Sequence, residues 1–211
     1  MGHAFSNLFI IMNVFDAIKE RRSIKHFDAN HKMTAEQENQ IFELAKQAPS
    51  SFNIQHWRIV KVDDKDLRAK LRQAAWNQEQ VTDASMLLIV CADLNAWQKE
   101  PQRYWHTAPQ NVRDYLLTAI KNFYEGKLQL QRDEALRSVG LISQTIMLAA
   151  KGLGYDSCPM IGFDVEQVSK LINLPQDHIV GMMITIGKAV KPAQPKGGYL
   201  PQNEIVINNH F

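Results

Sequence analysis

An α+β fold, with helices and strands interleaved but not strictly alternating, is what this 211-residue sequence predicts. Three observations carry that expectation. Residues 86–92 and 179–186 are continuous apolar runs of strand length, the pattern of strands covered on both faces. Residues 134–153 place Leu136, Val139, Ile142, Ser143, Ile146, Met147 and Ala150 around much of a helical surface, as in a buried helix. Finally, the strands and helices do not follow the regular β-α-β repeat that a doubly wound parallel sheet requires.

The elements follow in order. Asn13 is placed to cap a first helix with Val14, Phe15 and Ile18 on one face, ending at a basic stretch. Thr34 and Gln37 form a capping-box pattern ahead of Ile41, Leu44, Ala45 and Ala48 at helical spacing, and Pro49 stops that helix. Residues 50–55 read as loop and 57–62 as a strand rich in Val and Ile. Leu67, Leu71, Ala74 and Ala75 mark another helix. Residues 95–132 weaken in pattern and gather aromatics, with a helix over 115–124; they read as an excursion over the core. Gly152 and Gly154 end the long helix. Asp164 opens a further helix that Pro175 closes, and residues 204–207 read as a short terminal strand. Residues 13–211 are thus expected to form a single domain. Residues 1–12 are expected to be a disordered or loosely docked extension, with Met12 as a candidate start.

Composition narrows the class. Hydrophobic residues at 45% and charged residues at 22% suit a globular chain long enough to bury a core. A formal charge of +2 gives no case for nucleic acid or an anionic membrane surface. No apolar run approaches the roughly 20 residues a membrane helix needs. Cys91 and Cys158 lack paired spacing and read as buried thiols of a reducing cytoplasm.

Several chemistries lack their residues. Gly152-Leu153-Gly154 sits at a helix end without a third glycine, which disfavours a dinucleotide fold of the Rossmann type. There is no Gly-x-Ser-x-Gly elbow, and the seven histidines contain no His-x-x-x-His pair, so no metal site is expected. A chain without an obvious reactive group of its own suits an enzyme whose cofactor does the chemistry.

One stretch stands out against that background. Residues 20–28 pack Arg21, Arg22 and Lys25 around Ser23. Arginine grips phosphate with a planar fork and serine adds a short-range donor, so an elongated anion is a natural ligand. A solvated basic helix end is the simpler reading of the stretch alone. Downstream lie Ala48-Pro49-Ser50-Ser51-Phe52-Asn53-Ile54-Gln55-His56-Trp57, Trp76-Asn77-Gln78-Glu79-Gln80, and Gly152-Leu153-Gly154-Tyr155 leading to Cys158-Pro159-Met160-Ile161-Gly162-Phe163. In this order and spacing the set resembles the nitroreductase family of flavin mononucleotide (FMN) enzymes, closest to the short bacterial NAD(P)H nitroreductases. The resemblance runs from about Asn13 to the end.

The resemblance implies a central, mostly antiparallel sheet flanked by helices, and a cytoplasmic homodimer with FMN at the interface. It implies NADH or NADPH as donor, and ping-pong reduction by two electrons of nitroaromatics, quinones or other flat acceptors. Residues 95–132 would form a lid. Arg22 and Ser23 would take the FMN phosphate, with Arg21 and Lys25 near the ribityl chain and the N1/O2 edge. Pro49, Ser50, Ser51, Phe52 and Asn53, from the partner subunit, would line the other side, and Gln55 would also belong to the cofactor site. Asn77 and Gln80 would approach the pyrimidine edge. In Pro159, Met160, Ile161 and Gly162, the backbone N–H groups of Ile161 and Gly162 would reach N5 and O4, where a glycine permits close approach.

Taken singly these residues have plainer explanations. Ser50 and Ser51 suit any helix stop, Asn53 and Gln55 any loop, and Asn77 and Gln80 any helix end. Two departures from the family pattern stand out. Some relatives carry Lys where this chain has Gln80. Relatives also place Arg or Lys before a C-terminal Leu-Pro, whereas Tyr199 precedes Leu200-Pro201 here; Lys196, ahead of Lys191, is the expected phosphate partner. Alternatives are a related dehalogenase or enoate reductase, a non-catalytic flavin-binding protein, and a basic-patch protein without cofactor.

Overall fold

The computed structural model describes residues 12–211; the expectations for residues 1–11 lie outside the described residues. Four strands, β1 (Trp57–Lys61), β2 (Met86–Asp93), β3 (Asp156–Met160) and β4 (His178–Gly187), form one sheet in the order β1-β2-β4-β3. Every neighbouring pair is antiparallel. The helices are α1 (Val14–Glu20), α2 (Ala35–Ala45), α3 (Lys65–Ala74), α4 (Gln80–Asp83), α5 (Gln110–Tyr124), α6 (Leu128–Gly152), α7 (Val165–Leu171) and α8 (Gln202–Ile205).

The unbroken apolar run of β2 follows from its central position. Successive side chains point to opposite faces of a sheet. Met86, Leu88, Val90 and Ala92 join the core beneath α2 and α6, while Leu87, Ile89 and Cys91 join the core on the other face, with Leu71, Ala74 and Val168 of α3 and α7. Both faces are covered, so neither register can be polar. The central helix α6 lies so close to β4 that a Cβ on Gly181 would sit 2.6 Å from Val139 Cγ1.

The caps form as their residues dictate. The Asn13 side chain accepts from the Asp16 N–H, Thr34 and Gln37 complete a capping box, and the Asp164 side chain accepts from the Gln167 N–H. One expectation needs correction, and two features were unforeseen. Residues 204–207 are not a strand; a short helix, α8, ends at Ile205 and Val206 is extended. Strand β3 was not expected, because Asp, Ser and Pro are poor strand formers and only the β4 edge recruits them. The apolar face of α1 is not inward: Val14, Phe15 and Ile18 are exposed and only Ala17 is buried.

A third core cluster joins Ile54 to Ala96, Trp97, Ile120 and Tyr124, with Phe52, Tyr104 and Trp105 packed against it. The aromatic excursion therefore rests on the loop before β1. Trp105 Nε1–H donates to the Phe52 carbonyl at 3.0 Å and Asn53 Nδ2–H to the Tyr104 carbonyl at 3.1 Å.

Candidate active site

After α1 the chain turns extended and runs beside the edge strand β3. Ser23 bridges Ser157 in parallel, and the Ile24 N–H donates to the Ser157 carbonyl at 3.0 Å. Ile24 is buried while Ser23 and Lys25 are exposed, so the alternation expected of an extended segment holds there. The chain leaving β4 returns along the same segment: the Asp28 N–H donates to the Lys188 carbonyl and the Val190 N–H to the His26 carbonyl. It then continues past Arg21 and Arg22. Between the two runs lies a cavity of about 750 Å³, lined by Arg21, Arg22, Ser23, Lys25 and, from the C-terminal run, Lys196 among others. Lys191 lines a neighbouring hollow instead.

The cations of this cavity are held to different degrees. The Arg22 guanidinium donates to the Gln194 carbonyl, tying the two runs together. Arg21 Nη1 is buried without a hydrogen-bond partner among the described residues. A buried guanidinium donor left unsatisfied costs free energy that a bound anion would recover. Burial pushes the Cys158 thiol of β3 above its ordinary pKa, and the charges of Lys25 and Arg21 oppose that rise, so their field reaches the strand.

The second wall is the turn after α3. Trp76 and Asn77 both take left-handed backbone, at φ of 54° and 59°. Asparagine tolerates this conformation and tryptophan does not, so the turn carries backbone strain of the kind found at functional sites. The exposed Trp76 ring lies over Gly162, where an added Cβ would come within 3.0 Å of it. Gln78 Nε2–H donates to the Gly162 carbonyl at 2.8 Å. His26 Nδ1 lies 3.9 Å from Glu79 Oε2, linking this turn to the basic segment. Asn77 is exposed, whereas Gln80 is buried and its amide nitrogen faces Gln78 and Met160 rather than open space. Pro159 and Met160 belong to β3, and Ile161 and Gly162 follow it, with the Ile161 side chain exposed.

Of the residues expected in a site, Arg21, Arg22, Ser23, Lys25 and Lys196 meet in one cavity. Asn77, Gln80 and residues 159–162 form the adjoining wall. Pro49, Ser50, Ser51, Phe52, Asn53 and Gln55 do not join them within one chain. They precede β1, at the opposite edge of the sheet. Three strand spacings to β3 and a fourth to the Ser23 segment amount to about 19 Å, and the rise from Ala92 to Met86 adds about 20 Å along the strands. Phe52, Asn53 and Gln55 hold left-handed φ values of 50°, 54° and 51°, and Ser50 Oγ accepts from the Gln55 N–H.

Sequence reasoning missed Gln78, Trp76 and Gln194 as individual contributors. Nothing in local sequence reveals that Gln78 meets a carbonyl 84 positions away. Separately, Asp93, Asp177 and His178 offer three metal-type ligand atoms at the far end of the sheet. The Lys99 ammonium already occupies that cluster, 2.9 Å from Asp93 and 2.6 Å from Asp177, whose carboxyl it holds down to about 2.

The fold and this cavity together define an α+β protein with a cation-lined pocket beside a glycine turn. Residues 18–188 match the nitroreductase family. The chain is 55% identical over 185 residues to Protein DrgA of Synechocystis sp., covering 88% of each chain. It is 30% identical over 190 residues to the oxygen-insensitive NADPH nitroreductase of Helicobacter acinonychis, covering 85% of this chain and 89% of the relative. A crystal structure from Exiguobacterium sibiricum 255-15, solved in complex with FMN, superposes with a TM-score of 0.84 at 33% identity, covering 92% of this chain and 96% of the other. The chain belongs to the nitroreductase family of oxidoreductases.

Proposed function

We propose that this protein is an FMN-dependent oxidoreductase that takes electrons from NADH or NADPH and reduces flat acceptors such as nitroaromatics and quinones by two electrons. The observation that carries the reading is the cavity lined by Arg21, Arg22, Ser23, Lys25 and Lys196, beside which Arg21 Nη1 is buried without a partner among the described residues. These donors suit a phosphate and its polyol tail. FMN, when bound, would supply the hydride chemistry at its N5.

The chain's own groups would bind and orient it. Arg22, Ser23 and Lys196 would hold the phosphate end. Arg21 and Lys25 would sit nearer the ring, where a cation favours the reduced, anionic form. Asn77 would reach the pyrimidine edge, and the turn at Ile161 and Gly162 would offer backbone N–H groups. A homodimer would bring Pro49–Gln55 of a second copy to the other face, with residues 95–132 as lid. Support for pairing comes from the exposed apolar side chains of Val14, Phe15 and Ile18 on α1 and from the residues of α8 and the chain after it, all exposed. The free thiols Cys91 and Cys158 suit a cytoplasmic enzyme, and no helix of the described residues is long and apolar enough to cross a membrane.

The test is optical. Protein purified with FMN should be yellow and should bleach on anaerobic addition of NADH or NADPH. A preparation that takes up no FMN, or holds it without bleaching with either donor, overturns the reading.

A further inference from the structure

Gln78 and Gln80 stand two residues apart, on and just before the first turn of α4, yet their side chains act in series. Gln80 Nε2–H donates to Gln78 Oε1 at 2.9 Å and also faces Met160 Sδ at 3.7 Å. Gln78 Nε2–H in turn donates to the Gly162 carbonyl at 2.8 Å. The order is directional. An amide flipped at either residue would set donor against donor or acceptor against acceptor, so each fixes the orientation of the other. Gln80 is only 3% exposed and its amide nitrogen has both its partners inside the protein. That placement suits an anchor.

What the series holds is a short turn with few other restraints. The Phe163 N–H donates to the Ile161 carbonyl at 3.1 Å, the Trp76 ring covers Gly162, and the Asp164 N–H donates to the Ala74 carbonyl at 2.9 Å. The Gly162 carbonyl that Gln78 holds lies in the Gly162–Phe163 peptide; the Phe163 N–H of that peptide donates to the Ile161 carbonyl, which shares its own peptide plane with the Gly162 N–H, so the hold passes across Gly162. Among the described residues the Gly162 N–H has no protein acceptor. A donor is thus left free on a backbone that two glutamines hold still.

We propose that Gln80 and Gln78 form a positioning relay that aims the Gly162 N–H at the ring edge of the bound flavin. The inference rests on the flavin reading above. Gln78 and Gln80 act through the turn, and neither touches the reacting atoms.

The test uses Gln80→Leu, Gln78→Met and the double variant, each in the full chain. In the apoprotein, hydrogen exchange of the Phe163 amide, which donates to the Ile161 carbonyl across the turn, should quicken about five- to tenfold in either variant, the scale of one ordinary hydrogen bond. FMN affinity should fall by a similar factor, and the two-electron potential should shift in the same sense in both. Because the groups act in series, the double variant should be no worse than Gln78→Met alone. Additive losses, or unchanged Phe163 exchange in variants with a native melting transition, would overturn the relay. If wild-type protein takes up no FMN, the flavin reading fails, while the exchange measurement still decides whether the turn is held by these glutamines.

Discussion

Arg21 and Arg22 are neighbours with opposite circumstances. Arg22 is tied to the Gln194 carbonyl, whereas Arg21 buries a guanidinium nitrogen with no partner among the described residues. An unsatisfied buried donor lowers stability in the empty protein, and a phosphate-bearing ligand would satisfy it. Arg21→Met should therefore leave the apoprotein's melting temperature unchanged or raised. FMN affinity should fall about ten- to a hundredfold, the scale of a charge-assisted hydrogen bond. Calorimetric titration and thermal melting check both halves; a variant that melts lower but binds FMN normally would mark Arg21 as structural. His56 offers a different residue-scale test. It is fully buried with Nδ1 3.1 Å from Ser138 Oγ, and burial lowers its pKa from 6.5 to about 4, against the opposing pull of Asp93. Between those values the unfolded chain binds a proton that the folded chain refuses. The contribution of neutral His56 is thus complete above pH 6.5 and is lost as pH falls toward 4, by up to about 3 kcal/mol. Urea unfolding at pH 7.5 and 4.5 should show a larger loss in wild type than in His56→Gln. Equal losses would assign the acid sensitivity elsewhere.

At the scale of elements, α6 docks closely on β4. A Cβ on Gly181 would overlap Val139 Cγ1 at 2.6 Å. Gly181→Ala should cost about 1–3 kcal/mol, the range for overpacking a filled core. In a Val139→Ala background the same change should cost much less, since the overlapping methyl is gone. Urea midpoints of the four proteins close the cycle; an undiminished cost would show that backbone flexibility at Gly181, and not the helix approach, matters. This contact also marks where sequence reading stops. The apolar runs of β2 and β4, the capping box at Thr34 and the helix over 165–171 were legible because their signals are local. Strand β3 was not, since Asp156, Ser157 and Pro159 pair only because β4 presents an edge. The clustering of Arg21, Arg22, Ser23 and Lys25 was legible as a basic stretch. That Gln80 is buried against Met160 was not, because its neighbour lies 80 positions away in the chain.

At the scale of the molecule, the decisive feature is the separation of the two groups of expected flavin residues. Arg21–Lys25 flank β3 while Pro49–Gln55 precede β1, at opposite edges of a four-stranded sheet and offset along it. Both groups are held where they are, Phe52 and Asn53 by bonds to the aromatic excursion and residues 23–24 by pairing with Ser157. A flavin held by both groups would need the basic segment of one copy and the loop of another. Subunit mixing tests this more sharply than mass alone. Arg22→Ala lesions the basic half; Asn53→Gly lesions the loop half, and glycine accommodates the φ of 54° at that position. Each variant alone should form dimers with both sites impaired. When the two are co-expressed and the mixed dimer is isolated by distinct tags, one site combines both lesions and the other has neither. The mixed dimer should then bind FMN with wild-type affinity at about half the wild-type stoichiometry. If both groups served a site within one chain, every site in the mixed dimer would carry one lesion and no high-affinity fraction would appear. That outcome, or a monomer that holds FMN stoichiometrically, would remove the shared site.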